Sequence, residues 1–446
     1  MARVLISALG TGPVDRDVSQ RIYKKASYKF LGSEEIYKTP FVAAALSRHM
    51  EVDKMLLVGT GRSMWEEVYN YFTLNSQKDV NETYWVDLGI KVSEYRRGGA
   101  RVSKEFLAPV NEAMDGYLRY LRPGTKGGSR CYLIEYGLND DELWRNFDIF
   151  MQIASDLEDG DEIYLDITHS FRSIPLFMYL MLDFIKTLNT RQIEIGGIYY
   201  GMFEAKDEFD GYTPVVDLGP LFKLSQWIKG AYDFITYGNG YMIASLLDDK
   251  EISEKVRDVS ELVNINYITD LKREVDSLDN HLKGSMSRIP VLKYMSPYIE
   301  DFVGRFRGIN SNGEFQLRLA RWYFENRRYA SGYICLAESV ITRILEIYRD
   351  AGAKVSITVT GRDKIKNIIK HQFWQQPDGS ALRQLYDEYE AISKIRNRIA
   401  HAGFSDKTLF AEDIKNVDRH LKAVEKLFSI KEIQKVPATI PLKTIT

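Results

Sequence analysis

Three short runs of branched and apolar residues do most to limit the fold: Arg3 to Leu9, Lys54 to Val58, and Glu162 to Ile167. Uninterrupted runs of this kind read as strands buried on both faces. Each ends in a polar, flexible turn: Gly10-Thr11-Gly12, Gly59-Thr60-Gly61-Arg62-Ser63, and Asp166-Ile167-Thr168-His169-Ser170-Phe171-Arg172. Helical patterns separate the runs, from Thr39-Pro40 to about Met50, from Ser63 onward, from Lys104 to Leu121, from Asp141 to Leu157, and on to Leu188. Further strands are expected at Arg130 to Tyr136 and, as the last of the set, Gln192 to Phe203. Tyr23 to Phe30 and Glu35 to Lys38 read as an inserted hairpin. Strands alternating with helices predict an α/β domain, a mostly parallel sheet covered on both faces.

Beyond Phe203 the pattern changes. Pro220 ends the strand-rich part, and from there to about Phe428 nearly everything reads as helix. Ser253 to Leu282 is charged and periodic, like an exposed connector, and Arg305 to Gly313 reads as a loop. Phe315 to Tyr348 gives one or two helices dense in Tyr and Trp, another helix begins near Ser380, and the tail from Lys435 to Thr446 is expected to fray. The division predicted is residues 1–205, a connector over 206–310, and an all-α domain over 311–446.

The net charge of −2 rules out a globally basic protein, so any nucleic acid must meet a local patch. Cys131 and Cys335 have no metal-ligand or CxxC spacing, which excludes a disulfide framework and fits a reducing cytoplasm. Met-Ala-Arg-Val-Leu-Ile runs straight into a strand pattern, with no signal peptide. Ile174 to Leu188, the most apolar long stretch, contains Asp183 and is short for a membrane span, so no membrane association is expected. Nothing in the chain looks like a metal cluster or a cofactor motif.

Two constellations carry chemistry. In open parallel sheets ligands bind beyond the carboxyl ends of the strands, where the three turns lie. Their glycines let backbone N–H groups approach phosphate, and Thr11, Thr60, Ser63, Thr168, Arg62 and Arg172 would complete such a site. Gly-x-Gly is equally common at any strand-to-helix turn. The absence of a full GxGxxG or a Walker lysine argues against a standard dinucleotide or ATP site.

The second constellation is Ile395-Arg396-Asn397-Arg398-Ile399-Ala400-His401. Arg holds phosphate, and His moves protons near neutral pH. Asn397 and His401, four apart, share a helix face, whereas Arg396 points well round the helix from His401. A site completed by a second chain suits that spacing better than an intrahelical pair. Lys394 and Arg398 would also suit an ordinary solvated basic face.

The arrangement Ile395-Arg396-Asn397-x-Ile399-x-His401 resembles the Arg-x4–6-His motif of HEPN ribonucleases. The loop Asp166-Ile-Thr-His-Ser-Phe-Arg resembles the Asp-x-Thr-His-Gly-x-Arg motif of CARF domains, the Rossmann-like sensors of CRISPR systems. Ser170 stands where family members often carry Gly. Together with Ala-Leu-Gly-Thr-Gly after the first strand, that likeness covers about residues 1–205. A CARF domain followed by a HEPN domain looks like the CRISPR type III accessory ribonucleases.

The resemblance implies a homodimer, or a higher homo-oligomer, in antiviral defence. A cyclic oligoadenylate binds the CARF pair and allosterically activates the nuclease; the likeness favours cyclic tetra-adenylate over hexa-adenylate. Single-stranded RNA would be cut without metal, with His401 as general base or acid, Arg396 stabilising phosphoryl charge, and Asn397 orienting His401 or the phosphate. The product would be a 2′,3′-cyclic phosphate. Gly10, Thr11, Gly12, Gly59, Thr60, Gly61, Arg62, Ser63, Asp166, Thr168, His169, Ser170, Phe171 and Arg172 would form the ligand site, with His169 either touching ligand or only holding its loop. Two other readings stay open: a non-catalytic sensor that binds RNA, and a nuclease that degrades the cyclic ligand itself.

Overall fold

The computed structural model describes residues 1–12, 24–95, 102–169, 173–188, 191–285, 291–401 and 410–442, apart from the side chains of 282–285, 292, 295, 296 and 410. It divides into two compact units, Met1–Phe222 and Lys223–Thr446.

The first unit runs β1 (Arg3–Leu9), β2 (Ala26–Phe30), β3 (Ile36–Thr39), α1 (Val42–His49), β4 (Lys54–Thr60), α2 (Trp65–Leu74), α3 (Glu82–Ser93) and α4 (Ala108–Leu121). It continues with β5 (Arg130–Ile134), α5 (Asp140–Ser155), β6 (Glu162–Asp166), α6 (Ile174–Leu188), β7 (Glu194–Gly201), a 3-10 turn (Phe203–Glu208) and β8 (Thr213–Asp217). The described strands form one eight-stranded sheet, β3-β2-β8-β7-β6-β1-β4-β5. β5, β4, β1, β6 and β7 are parallel, while the β7–β8 and β2–β3 pairs are antiparallel.

Successive residues of β1 and β4 serve opposite faces, which is why these strands read as continuous apolar runs. Leu5, Leu9, Met55 and Leu57 pack beneath α1 to α4; Val4, Ile6, Ala8, Leu56 and Val58 pack beneath α5 and α6. Each of the Val, Leu, Ile and Met side chains contributes roughly 1.5–3 kcal/mol by leaving water.

Sequence and structure part at several points. The Gln192–Phe203 strand is not the last, because Thr213–Asp217 adds β8 between β7 and β2. Thr39 does not cap α1: its hydroxyl accepts from the Phe41 N–H at 3.1 Å, and the helix starts at Val42. Helix α3 was not foreseen. Cys131 and Cys335 are buried, as expected of small apolar residues.

The second unit is helical: α7 (Gly219–Tyr237, entered from the first unit), α8 (Tyr241–Leu246), α9 (Lys250–Ile265), α10 (Ile268–Ser285), α11 (Leu292–Gly304), α12 (Asn312–Glu325) and α13 (Tyr329–Asp350). Then come α14 (Val359–Asn367), a π-helical stretch (Ile368–Phe373), α15 (Ala381–Ala400), α16 (Phe410–Lys415), α17 (Val417–Phe428), α18 (Lys431–Gln434) and α19 (Val436–Thr439).

The Ser253–Leu282 stretch is not an exposed connector. Val256, Val259, Val263, Leu271, Val275 and Leu278 bury one face of α9 and α10 in the same core as α12 and α13, and only the outer face is charged. Asn266, in the left-handed region at φ 58°, ends α9 between them. The tail is pinned as far as Leu442: Val436 and Ile440 are buried, and the Tyr348 hydroxyl donates to the Ile440 carbonyl at 2.7 Å. Residues 443–446 lie outside the described part.

Candidate functional site

The first candidate site sits where the strand order reverses. After the β2–β3 pair at the far edge, the chain lays β4 beside β1 and β5 beyond it, then returns to lay β6 on the other side of β1. Such a switch point leaves a crevice at the carboxyl ends of the strands. Leu9 is in register with Gly59, and Ser7 with Asp166, so the three turns emerge side by side across about 10 Å, two strand spacings.

Hydrogen bonds stitch these exits together. The Ser63 hydroxyl donates to the Leu9 carbonyl at 2.7 Å and accepts from the Thr60 N–H at 2.9 Å. The Met64 N–H donates to the Gly10 carbonyl at 3.2 Å, and the Trp65 indole to the Thr60 carbonyl at 2.9 Å. Asp166, fully buried, accepts from the Ser7 hydroxyl at 2.6 Å and from the Thr168 N–H at 2.9 Å. The Thr168 hydroxyl accepts from the Gly201 N–H at 2.8 Å.

The candidate residues therefore fall into two groups. Gly59, Thr60, Gly61, Ser63 and Asp166 are buried and build the crevice floor, whereas Gly10, Thr11, Gly12, Thr168 and His169 reach its surface and Arg62 is exposed. Packing accounts for two of the glycines: a Cβ on Gly59 would stand 2.7 Å from Ser63 Oγ, and one on Gly61 would stand 2.5 Å from the Tyr95 ring. Gly12 is in the left-handed region at φ 64°. Burial lowers the His169 imidazole pKa below its ordinary 6.5, with Asp166 and Glu204 pulling the other way. Ser170, Phe171 and Arg172 lie outside the described residues.

Sequence reasoning missed Ser7 and Gly201, which hold this loop. Ser7 left a signal, as the one hydroxyl inside an apolar run; Gly201 left none.

The second candidate site is the end of α15. Ser380 caps this helix, accepting from the Arg383 N–H at 3.2 Å. Leu382, Leu385, Tyr389, Ile392 and Ile395 form the buried stripe that packs on α13 and α17. The stripe fixes which residues face outward at the helix end. Asn397 is exposed, and His401, exposed, closes the helix with its N–H on the Asn397 carbonyl at 2.9 Å.

The two arginines differ. Arg398 forms a two-pronged ion pair with Asp413 of α16, whereas Arg396 has no acid partner among the described residues, and its Nε is buried without a hydrogen bond. Five positions separate Arg396 from His401, about 140° around the axis at 100° per residue. The two side chains therefore leave the helix in widely different directions.

His420, missed from the sequence, is 1% exposed beneath this helix, with Nδ1 on Glu388 and Nε2 3.2 Å from the Arg419 guanidinium. It joins α17 to α15 and has no access to solvent. Among the described residues no group of three His, Cys, Asp or Glu is placed to hold a metal ion, and no helix is long and apolar enough to cross a membrane.

Comparison with known proteins bears on both units. Residues 4–204 match the family model for the CARF domain of CRISPR system endoribonuclease Csx1, and residues 223–311 match the model for the second domain of CRISPR-associated protein MJ1674. The chain is 41% identical over 410 residues to CRISPR-associated protein MJ1674 of Methanocaldococcus jannaschii; the match takes in 91% of this chain and 63% of that relative's length. A solved structure, Enterococcus italicus Csm6 bound to cyclic hexa-2′-fluoro-hexa-dAMP, aligns with 99% of this chain and 95% of its own at 11% identity. The TM-score of that alignment is 0.42.

Proposed function

We propose that this chain is a CRISPR-associated, CARF-containing protein that works as a cyclic oligoadenylate-activated RNA endonuclease of type III CRISPR defence, acting in the cytoplasm; the matches of residues 4–204 and 223–311 to CRISPR-associated family models support that reading. The observation that carries this reading is the contrast at the end of α15. Arg398 is spent on Asp413, while Arg396 is left without an acid partner among the described residues, beside an exposed Asn397 and His401. A guanidinium without an acid partner and an exposed imidazole at one helix end are the two groups that phosphoryl chemistry on RNA asks for.

The ribose 2′-OH attacks the adjacent phosphorus in line. His401 takes the proton from that hydroxyl or returns one to the leaving 5′ oxygen. Arg396 donates to the phosphoryl oxygens as charge builds on them, and Asn397 orients His401 or the phosphate. The product is a 2′,3′-cyclic phosphate, and no step asks for a metal.

The wide angle between Arg396 and His401 favours a composite site from two copies. An apolar stripe supports the pairing: Leu176, Leu180, Phe184 and Leu188 recur every fourth residue on one face of α6 and are all exposed. A two-fold axis there would pair identical surfaces, and a symmetric cyclic ligand fits such an axis. The activator is assigned to the switch-point crevice, with cyclic tetra-adenylate as the first candidate.

The test is RNA cleavage by the parent and by His401→Ala, with and without cyclic tetra-adenylate, while the ligand itself is followed. Cleavage that needs both ligand and His401 supports the reading. Loss of the ligand without RNA cleavage would favour degradation of the ring, and binding of both without any cleavage would favour a sensor.

A further inference from the structure

One turn before Arg396 on α15 stands Ser393, 7% exposed, and its hydroxyl makes no hydrogen bond of good geometry. The Arg396 Nε is in the same condition. Positions three apart on a helix are surface neighbours, so the two side chains share one face of α15. Tyr389, four residues before Ser393 and 2% exposed, belongs to the same stripe. Burial above all raises its phenol pKa; the adjacent Ser393 and Arg396 act to lower it.

Buried polar atoms without partners are few in native proteins and call for an explanation. Here the two fall together and one belongs to the arginine that the proposed chemistry uses. A guanidinium held only at its outer nitrogens swings about its Nε; an acceptor for the Nε–H removes that freedom. Ser393 Oγ is an acceptor of the right kind one turn away on the same face. A direct bond between Ser393 Oγ and the Nε–H, or one water between them, would satisfy both atoms.

We infer that Ser393 is a positioning residue: it accepts the Arg396 Nε–H, directly or through one water, and so fixes the direction in which Arg396 meets the phosphate. This rests on the ribonuclease reading above and adds to it a residue outside the Arg–His motif. Ser393 does not touch RNA. It acts through Arg396 alone, so its effect should appear in the chemical step and vanish when Arg396 has no Nε–H.

The experiment is a double-mutant cycle on full-length protein saturated with cyclic tetra-adenylate. Ser393→Ala and Ser393→Val should lower kcat about tenfold, the effect of one hydrogen bond's worth of transition-state stabilisation. KM should stay within about twofold, because the arginine that Ser393 orients acts on charge that builds only in the transition state. Ser393→Thr, which keeps the hydroxyl, should restore kcat where Val of the same shape does not. In an Arg396→Lys background, which lacks the Nε–H, Ser393→Ala should have no further effect.

A second measurement stands apart from activity: the Arg396 Nε–H resonance, assigned by its loss in Arg396→Lys, should exchange faster with water in Ser393→Ala. Full kcat in both Ser393→Ala and Ser393→Val, or equal losses in the parent and Arg396→Lys backgrounds, would overturn the proposal. So would unchanged Nε–H exchange. A parent without RNA cleavage would instead overturn the ribonuclease reading, and the exchange rate would still decide the Ser393–Arg396 contact.

Discussion

Arg398 and Asp413 form an ion pair that fastens the end of α15 to α16, through two guanidinium nitrogens and both carboxylate oxygens. The pair is about a quarter exposed on the arginine side and less on the aspartate side. Arg398→Ala should therefore cost about 1 kcal/mol, discounted for solvent screening, and lower the melting temperature of the second unit by about 2–4 °C. Cleavage per folded molecule should survive. Arg396→Ala should do the reverse: an unchanged melting temperature and a loss of cleavage. Thermal unfolding and initial rates on both variants check this, and an exchange of the two phenotypes would put the functional arginine at 398.

Burial holds His169 below its ordinary pKa, so the folded first unit prefers a neutral imidazole. The unfolded chain takes up the proton first as pH falls. Stability from this residue is thus complete above about pH 6.5 and is lost as pH drops from there toward the lower folded value. Melting temperature measured from pH 8 to pH 5 should fall more steeply below 6.5 in the parent than in His169→Asn. Parallel curves would mean that His169 is not held neutral by the fold.

The exposed stripe on α6 predicts self-association. Leu180→Glu or Phe184→Glu places a charge in the middle of Leu176, Leu180, Phe184 and Leu188. Sedimentation should then show monomers where the parent gives dimers, and cleavage should fall in step with the loss of dimer. A parent that is monomeric with ligand bound, or variants that remain dimeric, would remove α6 from the interface.

Much of the first unit was legible because burial on both faces leaves an uninterrupted apolar run, as in β1 and β4. The end of α15 was legible because a helix end concentrates its chemistry in neighbouring positions. What failed to show depends on distant partners. β8 is recognised only by its pairing with β7 and β2; Ser7 matters because Asp166, far along the chain, comes to lie beside it. The charged outer face of α9 and α10 hid a core face whose valines and leucines are spaced three and four apart. Motif spacing singles out Arg396, but that Arg398 is engaged by an acid takes the position of Asp413, fifteen residues on, to see.

The proposed chemistry uses the RNA's own 2′-OH and two side chains. Cleavage should persist in EDTA, and a single 2′-deoxy residue at the cut should stop it while RNA binding continues. Products should carry 2′,3′-cyclic phosphate ends. A strict requirement for a divalent ion, or cleavage at the deoxy position, would assign the reaction to a different nucleophile.

The central claim is that ligand held by the first unit controls cleavage by the Arg396–His401 pair. It is tested most directly by cleavage rate as a function of cyclic tetra-adenylate concentration, with binding followed separately by calorimetry. For the parent the account predicts a saturable rise from a low basal rate. In Thr11→Ala and Thr168→Ala the same rise should be shifted to higher ligand concentration. In His401→Ala, binding should be unchanged and the rate at least about 100-fold lower, the usual contribution of a general acid or base. Full cleavage by folded His401→Ala, or a parent rate indifferent to any cyclic oligoadenylate that it binds, would contradict it.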